Sequence, residues 1–243
     1  IIQNCEVTGF KIVNGVVKGV ETTRGFIGAK KVGVAVAGSS SKVMAHAGMR
    51  LPMESHVLQA FVSEGLKPVI PGVITYGAGH FYVSQSDKGE MVIGGGTDGF
   101  NNYTQRGSWH HVEETVRALI ETFPMISRLK MLRQWGGIVD MTGDRSPILS
   151  TTPVGNIFVN CGWGTGGFKA IPGSGWAMAD LIARGQPGPL AAEFGLNRFA
   201  EGRFIDESVA AELKRRAATF IEKRDGELDE KRQVMTKCTL CVD

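Results

Sequence analysis

The chain has 243 residues, 42% of them hydrophobic and 21% charged, with a net charge of +3. That balance describes a globular chain with enough apolar material for one large or two small cores. Its 27 basic and 24 acidic residues are interspersed rather than gathered into a stripe, and no apolar run nears the roughly 20 residues of a membrane span, so neither nucleic acid nor a membrane is expected as a partner. The sequence opens Ile1-Ile2-Gln3-Asn4-Cys5, without Met or a signal-peptide core, and reads as one joined on a strand in the middle of a longer polypeptide.

Residues 5–13, 16–23 and 26–37 predict three strands, the first two joined at Asn14-Gly15, the strongest short hairpin signal there is. The third ends in Ala35-Val36-Ala37-Gly38-Ser39-Ser40-Ser41, and 42–47 predicts a short serine-capped helix. Small residues at a strand end permit either the close approach of a ligand or a tight packed turn. Strands predicted at 55–62, 69–75, 80–85 and 90–94, the last two joined at Asp87-Lys88-Gly89, make a second, mostly antiparallel sheet. Val112, Val116, Leu119, Ile120 and Phe123 recur at helical spacing, and Pro124 ends that helix. His110 and His111 at its start read as exposed or capping residues, with no third metal-ligand candidate beside them.

Residues 135–149 read as strand, turn and strand. The apolar run Ile157-Phe158-Val159-Asn160-Cys161 then leads into Gly162-Trp163-Gly164-Thr165-Gly166-Gly167-Phe168-Lys169, with a helix-like run over 172–182 beyond it. A strand, a glycine loop and a helix start offer backbone N–H groups at a positive helix end, a site for an electron-rich group. Lys169 adds an ammonium suited to a substrate carboxylate or to charge on an electron-accepting ring. The pattern alone fits a purely structural glycine turn equally well.

Cys5 and Cys161 lie in apolar runs and are expected to be buried free thiols, which fits a reducing cytoplasm. Cys238 and Cys241 form a CxxC without the further ligands a structural zinc site needs, so no metal is expected. The mixed charges over 210–232 read as an exposed terminal helix or a loose tail. No GxSxG, Walker loop or HExxH motif is present, which leaves hydrolase and kinase chemistry without a carrier.

Several blocks together resemble the β-subunit family of heterotetrameric sarcosine oxidases, within the D-amino-acid oxidase-like, FAD-dependent amine oxidoreductases. They are Asn4-Cys5-Glu6-Val7-Thr8-Gly9, Gly25-Phe26-Ile27-Gly28-Ala29-Lys30-Lys31-Val32-Gly33, Leu51-Pro52-Met53-Glu54-Ser55-His56, Tyr82-Val83-Ser84-Gln85-Ser86-Asp87, Trp135-Gly136-Gly137-Ile138-Val139-Asp140, Asp144-Arg145-Ser146-Pro147-Ile148, and 160–175. The likeness runs in order from residue 1 to about residue 207. It implies a mixed α/β (α+β) fold: a partial FAD-binding Rossmann-like domain in two parts, 1–48 and 135–185, an inserted antiparallel β-sheet substrate domain over 49–134, and a C-terminal extension over 186–243.

The activity this resemblance implies is a flavoprotein oxidoreductase's: oxidative N-demethylation of sarcosine to glycine in sarcosine catabolism. Electrons would pass from FAD to FMN and then to oxygen, giving hydrogen peroxide. The methyl carbon would leave as formaldehyde, or as methylene-tetrahydrofolate through a partner subunit, with α, γ and δ subunits completing a cytoplasmic heterotetramer. Dimethylglycine dehydrogenase, glycine oxidase and D-amino-acid dehydrogenase activities stay open as alternatives, as does a non-catalytic scaffold fragment.

By the same resemblance Gly164, Thr165, Gly166, Gly167 and Lys169 fall at flavin-ring positions. Lys169 also matches the lysine that pairs with the substrate carboxylate, and so is the catalytic candidate. Val7 matches the adenine end of FAD, reached through its backbone, and Ala37-Gly38 match the strand end near the dinucleotide. Gly137 stands where monomeric relatives carry the cysteine bonded to FAD, so FAD is expected to be non-covalent. Gly96 and Val139 stand in place of a histidine and a tyrosine near the substrate. The family's dinucleotide-binding first βαβ unit and the histidine that carries FMN would both precede Ile1, and the chain by itself is expected to be inactive.

Overall fold

The computed structural model describes residues 1–77 and 80–208 together with Ala211 and Arg215. The Cys238/Cys241 pair and nearly all of the charged stretch 210–232 lie outside the described residues. In chain order the elements are β1 (Val7–Val13), β2 (Val16–Thr22), β3 (Gly25–Gly28), β4 (Val32–Val34), α1 (Ser40–Ala45), β5 (Met53–Gly65), β6 (Ile74–Tyr76), β7 (Phe81–Gln85) and β8 (Glu90–Thr97). There follow α2 (Trp109–Thr122), β9 (Met131–Thr142), β10 (Ile148–Thr151), β11 (Ile157–Cys161), α3 (Gly167–Arg184) and α4 (Asn197–Ala200). The chain divides into two units, one made of Ile1–Glu54 with Asp140–Asp243, the other of Ser55–Val139. The second is inserted in the sequence of the first.

In the first unit β1, β2 and β3 form an antiparallel sheet in that order. Asn14 and Gly15 turn the first hairpin with φ of +51° and +74°, the paired left-handed residues that a two-residue loop demands. The predicted third strand is in fact two. After Gly28 the chain leaves this sheet, and β4 pairs in parallel with β11 in the separate sheet β10-β11-β4. Hydrogen bonding makes the break: Ala29 N–H donates to Lys18 O, whereas Val32 N–H donates to Asn156 O. Between them Lys31 donates its ammonium to the carbonyls of Ile182 and Ala183, capping the negative end of α3.

The sheet β10-β11-β4 is covered on both faces, as parallel pairing demands. Val34, Ile148, Ile157, Val159 and Cys161 pack with Val17, Met44 of α1 and Leu51. On the opposite face Leu149 and Phe158 pack against Ala177, Met178 and Leu181 of α3. The helix starts at Gly167, so Pro172 lies inside it, five residues before the position at which the sequence pattern becomes helix-like. Pro172, the sixth residue of α3, lacks the N–H that would meet the Phe168 carbonyl and crowds that carbonyl with its ring, a cost of about 3 kcal/mol that the packing of α3 has to offset. Gly185, left-handed with φ +74°, ends the helix and donates to Leu181 O.

Residues beyond 186 are wired into this unit by a buried ion pair. Arg198 donates to both oxygens of Asp144 at 2.9 and 3.1 Å and to Ser146 O at 2.8 Å, and Ile205 N–H adds a bond to the same carboxylate. Burial alone would raise the Asp144 carboxyl; its donors, Arg198 foremost, hold it below the usual range instead.

The inserted unit is a five-stranded sheet of order β6-β7-β8-β5-β9, antiparallel between β6 and β7, β7 and β8, and β8 and β5. Its core joins Phe61, Phe81, Val83, Met91 and Ile93 to Val112 and Leu119 of α2. The strand predicted over 69–75 shrinks to β6, because the Val69 and Ile70 N–H groups donate to the Gln85 side chain instead of a neighbouring strand. Glycines let α2 sit low on β8: a Cβ on Gly95 would lie 2.7 Å from Thr115 Oγ1, and one on Gly96 would lie 3.2 Å from His111 Nδ1. His110 is exposed as expected, but His111 is not: its Nε2 lies 2.9 Å from Asp98 Oδ1 with its side chain 14% exposed. The α2–β8 packing that encloses it was invisible in the helical spacing.

Candidate functional site

Val32, Gly33 and Val34 stand opposite Ile157, Phe158 and Val159 in parallel register, so β4 and β11 end at one edge of their sheet. Residues 35–41 and 162–167 therefore leave that edge together. The crevice beyond the carboxyl ends of parallel strands is where open α/β sheets take their ligands. The first loop holds Ala37 at φ +45°, a conformation that costs a residue with a Cβ roughly 1–2 kcal/mol. Strain of this kind gathers at ligand sites. Ser40 donates to Ala37 O at 2.6 Å, and its side chain also hydrogen-bonds the Cys161 thiol, tying the first loop to the strand that feeds the second.

The second loop turns through Gly162 and Gly164, with φ of +75° and +52°, and passes through a 3-10 turn into α3. Neither glycine tolerates a side chain: a Cβ would lie 2.7 Å from Thr142 Cγ2 at Gly162 and 2.8 Å from Met141 Sδ at Gly164. Beneath the loop is a carboxylate that composition and spacing did not single out. Asp140, 2% exposed, accepts a hydrogen bond from Gly162 N–H, with Trp163 and Gly164 N–H adding to it. Burial outweighs these donors and pushes the Asp140 carboxyl above its ordinary range. Burial also pushes the neighbouring Cys161 thiol up to about 12, with the Asp140 charge adding to the effect. Cys161 is thus an inert buried thiol; Cys5, by contrast, is half-buried rather than buried.

Gly164, Thr165, Gly166, Gly167 and Lys169 thus form one continuous turn and helix start, with Ala37 and Gly38 on the companion loop at the same sheet edge. Val7 belongs to the other sheet of this unit, at the first position of β1 opposite Thr22. Lys169 is exposed, and no acidic residue occupies the first turn of α3, so the ammonium and the positive helix end act in the same sense. The outer side of α3 is open. A Cβ on Gly173 or Gly175 would meet nothing within 4 Å, and Phe168, Ile171 and Trp176 beside them are 90%, 58% and 60% exposed. Bare backbone, open apolar surface and a cation at a helix start fit a broad planar group with anionic character, which is the chemistry of a flavin ring.

Parallel strands that deliver two small-residue loops to a single sheet edge, one loop running into a helix, define a dinucleotide-type α/β fold. The family model of the FAD dependent oxidoreductases, the DAO family, matches residues 1–181, and the chain belongs to that family. It is 71% identical over 211 residues to the sarcosine oxidase subunit beta of Rhodobacter capsulatus, covering 87% of this chain and 51% of the relative. To the protein of the same name from Rhizobium meliloti it is 59% identical, covering 85% of this chain and 50% of the relative. The chain spans about half the length of the curated relatives it matches. Among solved structures, L-proline dehydrogenase from P. horikoshii superposes with a TM-score of 0.76 at 27% identity, over 84% of this chain and 56% of that one.

Proposed function

We propose that this chain is the flavin-ring half of a sarcosine oxidase β subunit, acting with the remainder of that subunit. The reaction converts sarcosine, oxygen and water into glycine, formaldehyde and hydrogen peroxide. The observation that carries the reading is the run from Gly164 to Lys169, a glycine-rich turn ending in an exposed ammonium at a helix start, in a chain 71% identical to a protein of that name. When bound, FAD supplies the two-electron oxidation of the carbon beside the amine nitrogen, which no side chain here can perform.

The chain's own residues bind and orient. Lys169 holds the substrate carboxylate by a charge-assisted hydrogen bond, reinforced by the dipole of α3. The glycines admit the ring against bare backbone. Gly137 has no thiol to offer, which supports non-covalent FAD. Ala37 and Gly38 line the dinucleotide on the companion loop, and the Val7 backbone meets its adenine end. The same proposal includes FMN as a second flavin, α, γ and δ partner subunits, transfer of the methyl carbon to tetrahydrofolate, and a cytoplasmic setting. The free thiols Cys5 and Cys161 support that compartment; among the described residues no helix is long and apolar enough to cross a membrane.

The test is substrate preference of the full-length subunit in its complex, offered sarcosine, dimethylglycine, glycine and D-proline. Sarcosine is expected to give the highest kcat/KM. Preference for D-proline would overturn the reading in favour of a D-amino-acid dehydrogenase, the name carried by relatives 31–32% identical to parts of this chain.

A further inference from the structure

The glycine loop turns its first amide inward, onto a buried carboxylate. Gly162 donates to Asp140 Oδ2, and the Trp163 and Gly164 N–H groups add favourable field at the same side chain. Gly162 and Gly164 both have positive φ, a loop conformation that brings backbone amides toward an anion. Here the anion belongs to the protein. Met141, the next residue of β9, braces the far flank, its Sδ 2.8 Å from where a Cβ on Gly164 would stand. A buried carboxylate without donors would be costly, so the loop and the acid stabilise each other. The Gly162 amide is consequently satisfied before any ligand arrives.

We propose that Asp140 is a positioning residue of the flavin site, fixing residues 162–164 so that the start of α3 and Lys169 are set in place in advance. This rests on the flavin reading above. Asp140 touches neither substrate nor flavin; it acts through the loop. Preorganisation of this kind appears as cofactor affinity, because a loop already held need not be ordered on binding.

The experiment uses the full-length protein with D140N and D140A, and D144N as a control that weakens a separate buried carboxylate site. Hydrogen–deuterium exchange at amides 162–164 and the Kd for FAD, from quenching of its fluorescence, are measured for each. D140A is expected to exchange at these amides roughly tenfold faster or more and to bind FAD roughly tenfold more weakly. D140N keeps one acceptor oxygen and should fall between it and the wild type, and it decides the matter if D140A does not fold. D144N should lower the melting temperature without accelerating exchange at 162–164. Unchanged exchange in the Asp140 variants, or equal acceleration in D144N, would overturn the assignment. A wild-type protein that binds no FAD would instead sink the flavin reading, while the exchange data would still judge Asp140.

Discussion

Val34 and Val159 are partners in parallel register, and the loops that follow them leave the sheet at the same edge. Residues 122 positions apart at Ala37 and Val159 therefore serve one crevice only because β4 abandons the first sheet for the second. Ala37 bears the strain at φ +45°. Glycine there relieves it, so A37G is expected to keep its stability, whereas a β-branched A37V should lose about 1–2 kcal/mol or more. Urea unfolding of the two variants measures the difference; equal midpoints would contradict it.

The glycines of the site separate into two kinds. Gly164 combines positive φ with a Cβ position 2.8 Å from Met141 Sδ, while Gly173 has nothing within 4 Å of its own. G164A should destabilise by about 1–3 kcal/mol through overpacking and strain. G173A should stabilise α3 by up to about 1 kcal/mol, alanine being the better helix former. Thermal melts of both variants check this, and opposite signs are the expected outcome.

Asp144 and Arg198 carry a third prediction about stability. R198M leaves the Asp144 carboxylate buried and unpaired, at a cost of about 3–5 kcal/mol, whereas replacing both partners with apolar residues should cost much less. The pH dependence follows from the depressed carboxyl of Asp144. Its contribution is present above the unfolded-state value, roughly 3.9, and is lost as pH falls through the lower native one. The stability gap between wild type and D144N, measured by denaturant unfolding, should therefore shrink as the solution is acidified below about pH 4. A gap that widens on acidification would contradict it.

Local signals in the sequence were reliable and long-range ones were not. The Asn14-Gly15 hairpin, the α2 periodicity ended by Pro124 and the strand-to-glycine-loop passage at Cys161 all carry their chemistry within a few residues. The end of β3 does not: Ala29-Lys30-Lys31 interrupts the apolar run, but that the chain changes sheets there is told only by Asn156 O and α3. Gln85 likewise shortens a strand by side-chain bonds to Val69 and Ile70. Asp140 looked like one acid at a strand end; its partners lie 22 residues on. Arg198, a charge in a polar stretch, gave no sign of being 4% exposed, since burial of a charge is readable only once its partner is in view.

The chain spans about half of its relatives, and the 243-residue chain alone is expected to bind FAD far more weakly than the full-length subunit. Fluorescence titration of each with FAD compares them. Equal affinity would show that residues 1–243 contain every determinant of flavin binding.

Lys169 is proposed to hold the substrate carboxylate beside a flavin. Anaerobic mixing of the flavin-loaded, full-length complex with sarcosine tests it through bleaching of the visible flavin absorbance. Wild type should bleach, and K169M should need at least about tenfold more sarcosine for half-maximal rate, the loss of one charge-assisted bond. A K169M protein reduced at wild-type rate and with wild-type sarcosine dependence would remove Lys169 from that role.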